Sequence, residues 1–184
     1  MRVIAGSAKG HTLKVSKGTP TRPATSLVRG AILSMVASIT SNWSQVLDLF
    51  SGSGSLGIEA LSRGAGFVDF VEREPKACDI IKENLATTGL AERAHVYCCN
   101  VYRAISFLNK TYDIVLMDPP YSNKTIGKTI TRLAGSSLID GDSVVVITHS
   151  PHLNLEDKYP PLELIKEKRH GDSCINIYRK GGNL

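Results

Sequence analysis

Five short runs of mainly apolar residues recur along the chain: QVLDLF, FVDFVE, AHVYCCN, YDIVLMD and DSVVVITHS. Rich in β-branched and aromatic side chains and bounded by polar or glycine-containing segments, they have the pattern of strands buried on both faces. Between them, apolar residues return every three or four positions, which predicts helices over about 56–63, 76–85, 102–108 and 126–133. Nearer the N-terminus, TRPATSLVRGAILSMVAS places Val28, Ala31, Ile32, Met35, Val36 and Ile39 on one helical face. Ahead of that helix, RVIAG and HTLKV read as the arms of a short hairpin, and LELIKEKRHGDSCINIYRK reads as two closing strands joined by HGDS. The order β-α-β-α-β-α-β, followed by a fifth strand and an antiparallel pair, predicts an α/β fold: a doubly wound, mostly parallel seven-stranded sheet.

Length changes this picture little. A chain of 184 residues, 42% of them hydrophobic, fits one domain spanning 1–184 with a sizeable core. No run of 18 apolar residues is present and the N-terminus lacks the apolar core of a signal peptide, so the expectation is a cytoplasmic protein without a membrane segment. Cys78, Cys98, Cys99 and Cys174 form no C-x-x-C pair and read as reduced core thiols, and the five histidines show no ligand spacing, so no metal site is expected.

Charge adds more. Six of the 22 cations fall in residues 1–47, where there is no acid, so the remaining 16 stand against all 17 acids. Residues 1–42 therefore read as a basic extension suited to a phosphate-bearing partner, with Lys9, Lys14, Lys17, Arg22 and Arg29 as the candidate contacts. A solvated basic tail is the simpler alternative.

The first site motif is VLDLFSGSGSLGIEA, which sets Gly52, Gly54 and Gly57 between a strand and a helix. Glycine there permits a tight turn and close approach of backbone N–H groups to an anion at a helix N-terminus. Glu72 follows Gly52 by 20 residues at the end of the next strand, so the spacing also fits a dinucleotide site, or a turn needed only for packing. Asp48, inside the strand and four residues before Gly52, favours a ligand that also carries a cation. S-adenosylmethionine has a carboxylate, an ammonium and a ribose diol, the last suited to Glu72. Asn100, after the third strand, falls where an adenine edge would sit, and equally serves as an ordinary turn residue.

The second motif, IVLMDPPYSN, ends the fourth strand with Asp118, Pro119, Pro120 and Tyr121. Residues before proline are held extended and the prolines lack N–H groups, so the segment offers fixed acceptors without competing donors. An exocyclic amino group on a planar base needs two such acceptors, the Asp118 carboxylate and the Pro119 carbonyl, if its nitrogen is to turn its lone pair on an electrophilic methyl. Tyr121 supplies a stacking face for a base out of its helix.

Together DLFSGSGSLGIEAL, VERE, DPPY, the N-terminal RVIAG and RPAT, and the C-terminal HGDSCINIYRK resemble the bacterial small-subunit ribosomal RNA guanine-N2 methyltransferases, over nearly the whole chain. The resemblance implies a Rossmann-like class I methyltransferase that binds S-adenosylmethionine through Asp48, Phe50, Gly52, Gly54, Gly57, Glu72, Arg73, Asn100, Val101 and Asp118, and the target guanine through Asp118 to Tyr121. Its implied partner is 16S ribosomal RNA or a small-subunit precursor, with the enzyme acting as a monomer. Asn100 stands where the family usually has Asp. Two other functions fit parts of the sequence. Adenine-N6 methylation of DNA shares the DPPY chemistry but would want a base-reading domain, and an NAD-dependent oxidoreductase would use the Gly52 loop but leaves DPPY unused.

Overall fold

The structure, a computed structural model, describes residues 1–15 and 25–181. Eight strands form one sheet in the order β3-β2-β1-β4-β5-β8-β7-β6: β1 Gln45–Leu49, β2 Phe67–Glu72, β3 Ala94–Cys98, β4 Ile114–Met117, β5 Val144–His149, β6 Lys158–Tyr159, β7 Leu162–His170 and β8 Ser173–Lys180. β1 to β5 run parallel, while β8 pairs antiparallel to β5, and β7 and β6 continue antiparallel beyond it. The eighth strand goes beyond the seven expected. β6 is two residues long, one of them buried, too short to leave a periodic trace. The parallel strands are joined by α2 Ser55–Ser62, α3 Pro75–Thr88, α4 Val101–Phe107 and α5 Ile126–Ala134.

Strand order reverses at β1, whose neighbours are β2 and β4. Connections leave in opposite directions on either side of that reversal, so a crevice opens beyond the carboxyl ends of β1 and β4. The glycine motif follows β1 and the DPPY motif follows β4, which brings residues about 70 positions apart in sequence to one edge of the sheet. One core layer packs α1 (Ser26–Ala37), α2 and α3 with the N-terminal segment on one face, through Ile32, Val36, Ile58, Leu61, Phe70 and Ile81. The other packs α4 and α5 through Leu47, Val71, Ile105, Val115, Ile130 and Ile147. α1 carries the expected face, with Val28, Ile32, Met35 and Val36 buried and a Thr25 N-cap accepting from the Val28 N–H at 3.3 Å.

The N-terminal hairpin is reduced to a single bridge, Arg2 to Thr12, with no strand. Residues 2–8 instead dock on α2. The Glu59 carboxylate, 1% exposed, accepts from the Ile4 and Ala5 N–H groups, each at 2.9 Å, and from Arg63 Nε at 3.2 Å. Ser62 Oγ accepts from the Ala8 N–H at 2.9 Å, and Gly6, with φ 82°, passes so close to the Ser62 carbonyl that a Cβ would collide with it. Arg29 corrects the expected phosphate surface. It is wholly buried, donates through Nη2 to the Arg2 carbonyl at 2.8 Å, and sets Nη1 against Met1 Sδ. A guanidinium so placed ties α1 to the first residues and cannot meet RNA; burial lowers its pKa, with Glu59 opposing. Lys17 and Arg22 lie outside the described residues. No helix among the described residues is long and apolar enough to cross a membrane.

Replacing Glu59 by Ala removes the acceptor for two main-chain N–H groups and leaves buried cationic groups uncompensated. The expected loss, read by urea unfolding, is about 3–5 kcal/mol, with early proteolytic release of residues 1–15. Unchanged stability would show the clamp to be incidental.

Candidate active site

The chain leaves β1 through a strained turn. Phe50 adopts φ 61°, a left-handed conformation costly for a residue with a Cβ. Ser51 compensates: its Oγ donates to the Asp48 carbonyl at 2.6 Å and accepts from the Val71 N–H at 3.0 Å, tying the turn to β2. Gly52 and Gly54 continue with φ 56° and 75°, and the Gly54 carbonyl accepts the Ile58 N–H as α2 begins. Gly57 is required for a different reason. Its N–H donates to Asp48 Oδ2 at 2.9 Å, and a Cβ there would strike the Phe70 ring and sit 2.8 Å from that same oxygen.

Glu72 ends β2 and holds the loop in place. Oε2 accepts from the Gly52 N–H at 2.8 Å, while Oε1 accepts from the Arg73 N–H at 2.7 Å and the Glu74 N–H at 2.9 Å. Its carboxylate therefore orients the glycine turn and retains acceptor capacity toward the crevice. The Arg73 side chain is exposed. Asn100 acts structurally, its Oδ1 capping α4 by accepting the Arg103 N–H at 2.8 Å, and Val101 is buried in the first turn of that helix. One lone pair of the amide oxygen thus serves the helix end, while the exposed side chain keeps a second acceptor position and its NH2 donors.

Asp48 is 1% exposed, and its pKa is pushed up to about 8. Burial is the chief cause; the Gly57 N–H opposes it, and the nearby Asp118 and Glu72 carboxylates add to it. Three acids thus face one crevice beside the N-terminus of α2. Such a site has a pole for a cation and, at the helix end, a pole for an anion.

At the end of β4, Asp118 is half-buried and Oδ1 accepts from Thr148 Oγ1, a residue of β5. Pro119 is buried, the Pro120 carbonyl accepts the Asn123 N–H at 2.8 Å, and Tyr121 stands 45% exposed over the crevice edge. Its hydroxyl lies 2.5 Å from Ser173 Oγ at the start of β8. Burial raises the Tyr121 pKa, with the Ser173 contact opposing. Neither Thr148 nor Ser173 stands out in the sequence. Thr148 lies in a run recognisable there only as a strand and Ser173 in the HGDS read as a turn, and nothing in their spacing tells that β8 folds back beside β5. Of the candidate RNA contacts, Lys9 is exposed and Lys14 pairs with Glu83 at 2.7 Å, both partners exposed. The Lys14 main chain is fixed to Asn84, which also donates to the Ser53 carbonyl at 2.9 Å, so residues 14 and 53 meet at the loop.

Comparison with known proteins places this geometry. The family profile described as "Conserved hypothetical protein 95" matches residues 1–179. The Bacillus subtilis protein named "Putative rRNA methyltransferase YlbH" is 36% identical over 99% of this chain and 100% of its own length. "Ribosomal RNA small subunit methyltransferase D" of Escherichia coli is 28% identical over 98% of this chain and 90% of its own length. The solved structure titled "Putative methyltransferase yhhF from Escherichia coli" superposes with a TM-score of 0.82 at 30% identity, over 98% of this chain and 97% of that one. The fold is that of class I methyltransferases.

Because the folded-state pKa of Asp48 is raised, the folded protein binds a proton that the unfolded chain releases near pH 4. Stability is then full below about pH 4 and declines as pH rises toward about 8. Asp48→Asn keeps an acceptor for Gly57 and cannot ionise, so it should be the more stable protein at pH 8 and should lose less stability than wild type between pH 5 and pH 8. Denaturant unfolding at pH 5 and pH 8 measures this, and parallel pH slopes for both proteins would contradict it.

Proposed function

The chain belongs to the "Conserved hypothetical protein 95" family, and on that premise we propose that it transfers a methyl group from S-adenosylmethionine to the exocyclic N2 amine of a guanine in 16S ribosomal RNA. The observation that carries the reading is the meeting, at the strand-order reversal, of an amino-directed Asp-Pro-Pro-Tyr segment with a carboxylate-lined glycine loop. The rRNA methyltransferase names of its relatives favour RNA over DNA and methyl over hydride transfer. The reading includes a monomer in the cytoplasm, working on free RNA or a small-subunit precursor.

The residues fit the cofactor. Asp48, held neutral near physiological pH by burial and two neighbouring acids, marks a site short of positive charge, and a sulfonium with an ammonium supplies it. When bound, S-adenosylmethionine supplies an electrophilic methyl on sulfur. The N-terminus of α2, behind the Gly52 to Gly54 turn, would meet the cofactor carboxylate, and Glu72 would accept from the ribose diol with the capacity left after its main-chain contacts. Phe50, Arg73 and Val101 complete the walls, and Asn100 contributes by setting the start of α4.

On the substrate side Asp118 accepts one proton of the guanine amine and the Pro119 carbonyl the other. The nitrogen would then be held with its lone pair toward the methyl. As the N–C bond forms, the methyl–sulfur bond breaks with its electron pair staying on sulfur, leaving S-adenosylhomocysteine, and the excess amine proton passes toward the Asp118 carboxylate. Thr148 fixes the carboxylate by donating to Oδ1. The exposed Tyr121 ring stacks the base, and Ser173 holds that ring by its hydroxyl. Lys9 and Lys14, with Lys17 and Arg22, carry the phosphate contacts of the basic N-terminus; Arg29 is removed from that set.

Transfer of labelled methyl to 16S RNA, free and in subunits, followed by mapping of the product, tests the proposal. N2-methylguanine is the expected product, and N6-methyladenine or tight NAD binding without methyl transfer would overturn it. Asp118→Ala should lower turnover by about 10²–10³-fold with a modest loss of cofactor binding, whereas Tyr121→Ala should weaken substrate engagement by about 1–3 kcal/mol. Ser173→Ala and Tyr121→Phe each break the same contact, so their effects on KM should not add in the double variant.

A further inference from the structure

The hairpin of β7 and β8 carries an irregularity with a consequence for the substrate side. From Leu162 to Leu164 β7 pairs in one register with β8, Leu164 opposite Tyr178; from Lys166 onward it pairs one residue out of step, Lys166 opposite Ile177. The extra residue is Ile165, 48% exposed. A bulge of this kind moves every later side chain to the other face of the sheet. Without it, Glu167 and Arg169 would share a face with Ser173 and Ile175. With it, Lys166, Lys168 and His170 do, opposite Ile177, Ile175 and Ser173 in turn.

That face is the one on which Tyr121 is held. Ser173 Oγ, 2.5 Å from the Tyr121 hydroxyl, sits opposite His170, and Thr148, which donates to Asp118, pairs with Ile175. Lys166 reaches over the same face to Ser38 at the end of α1, at 3.5 Å. Lys166 and Lys168 are exposed, and beyond Leu164 the outer edge of β7 pairs with no strand among the described residues. The acids nearby are displaced from the stripe: Glu167 lies on the opposite face and Asp172 in the turn. Alternate residues on a strand are about 7 Å apart, a spacing of the order of that between successive phosphates on an extended strand. His170 turns its Nε2 inside, where it has no hydrogen-bond partner, and Lys166 and Lys168 are the exposed members of the stripe.

We propose that β7 is a second RNA-contacting element, in which the Ile165 bulge aims Lys166 and Lys168 at the phosphates of the strand leading to the base on Tyr121. The proposal rests on the RNA-methyltransferase reading above. A solvated edge strand guarded by lysines is the alternative it must defeat. The stripe differs from the N-terminal cations in position, since it continues directly into the turn that orients Tyr121.

The test compares the full-length protein with Lys166→Ala/Lys168→Ala and with Lys158→Ala as a control, Lys158 being an exposed lysine of the same sheet paired to Glu163 at 2.8 Å. Binding to 16S RNA is measured from 50 to 200 mM salt, alongside kcat, KM and S-adenosylmethionine affinity. The double variant should flatten the slope of log K against log salt by about 1.4, two single-strand phosphate contacts. It should raise KM and leave kcat and cofactor affinity unchanged, while Lys158→Ala matches wild type. If wild type methylates the RNA and the double variant shows the same slope and KM, this inference falls alone. If wild type transfers no methyl to any ribosomal RNA, the functional reading falls and carries the inference with it.

Discussion

A carboxylate buried where water cannot reach it organises the crevice. Asp48 lies at the end of a strand covered on both faces, and the Gly57 N–H is the hydrogen bond that the structure gives its Oδ2. That bond requires α2 to begin where it does and residue 57 to have no side chain, since Phe70 fills the space behind it. The backbone must then turn sharply between 49 and 54, which accounts for the left-handed Phe50 and the Ser51 contacts that hold it. Glu72 and Asp118 meet the same crevice from neighbouring strands, and each makes ionisation of Asp48 harder. The protein holds an arrangement of acids that is unfavourable in the absence of a cation, and a site that binds a cationic ligand is the setting in which such an arrangement is useful.

The basic N-terminus shows how charge pattern and charge location differ. Its cations have separate fates: Arg29 is locked under the first residues, Lys14 is paired with Glu83, and Lys9 is exposed. Composition sees all as equivalent. The segment is nevertheless firmly attached, because Glu59, Ser62 and Asn84 accept its main-chain N–H groups from two helices of the core. A short segment without strand partners can be ordered in this way when buried side chains replace the missing ladder.

Sheet position explains why the C-terminal hairpin belongs to the site. β8 enters antiparallel beside β5, so its first residues lie at the same edge as the last residues of the parallel strands. Ser173 thereby reaches Tyr121 across 52 positions of sequence. The hairpin thus closes the sheet and also braces the aromatic ring of the DPPY segment.

The sequence by itself determined the α/β alternation, the strands and helices that carry it, and the two motifs at strand ends. These are local: apolar runs, helical spacing, glycine and proline punctuation speak for themselves within a few residues. It also marked Asp48, a carboxylate inside an apolar strand, Asp118, one directly after such a strand, and Gly52 and Gly57, glycines spaced between a strand and a helix. Only the tertiary structure decided that Arg29 is buried, that Asn100 caps a helix, that Thr148 and Ser173 attend Asp118 and Tyr121, and that β7 changes face at Ile165. Each depends on which distant residue is alongside, and strand order and register, which set those neighbours, leave no periodic mark in the chain.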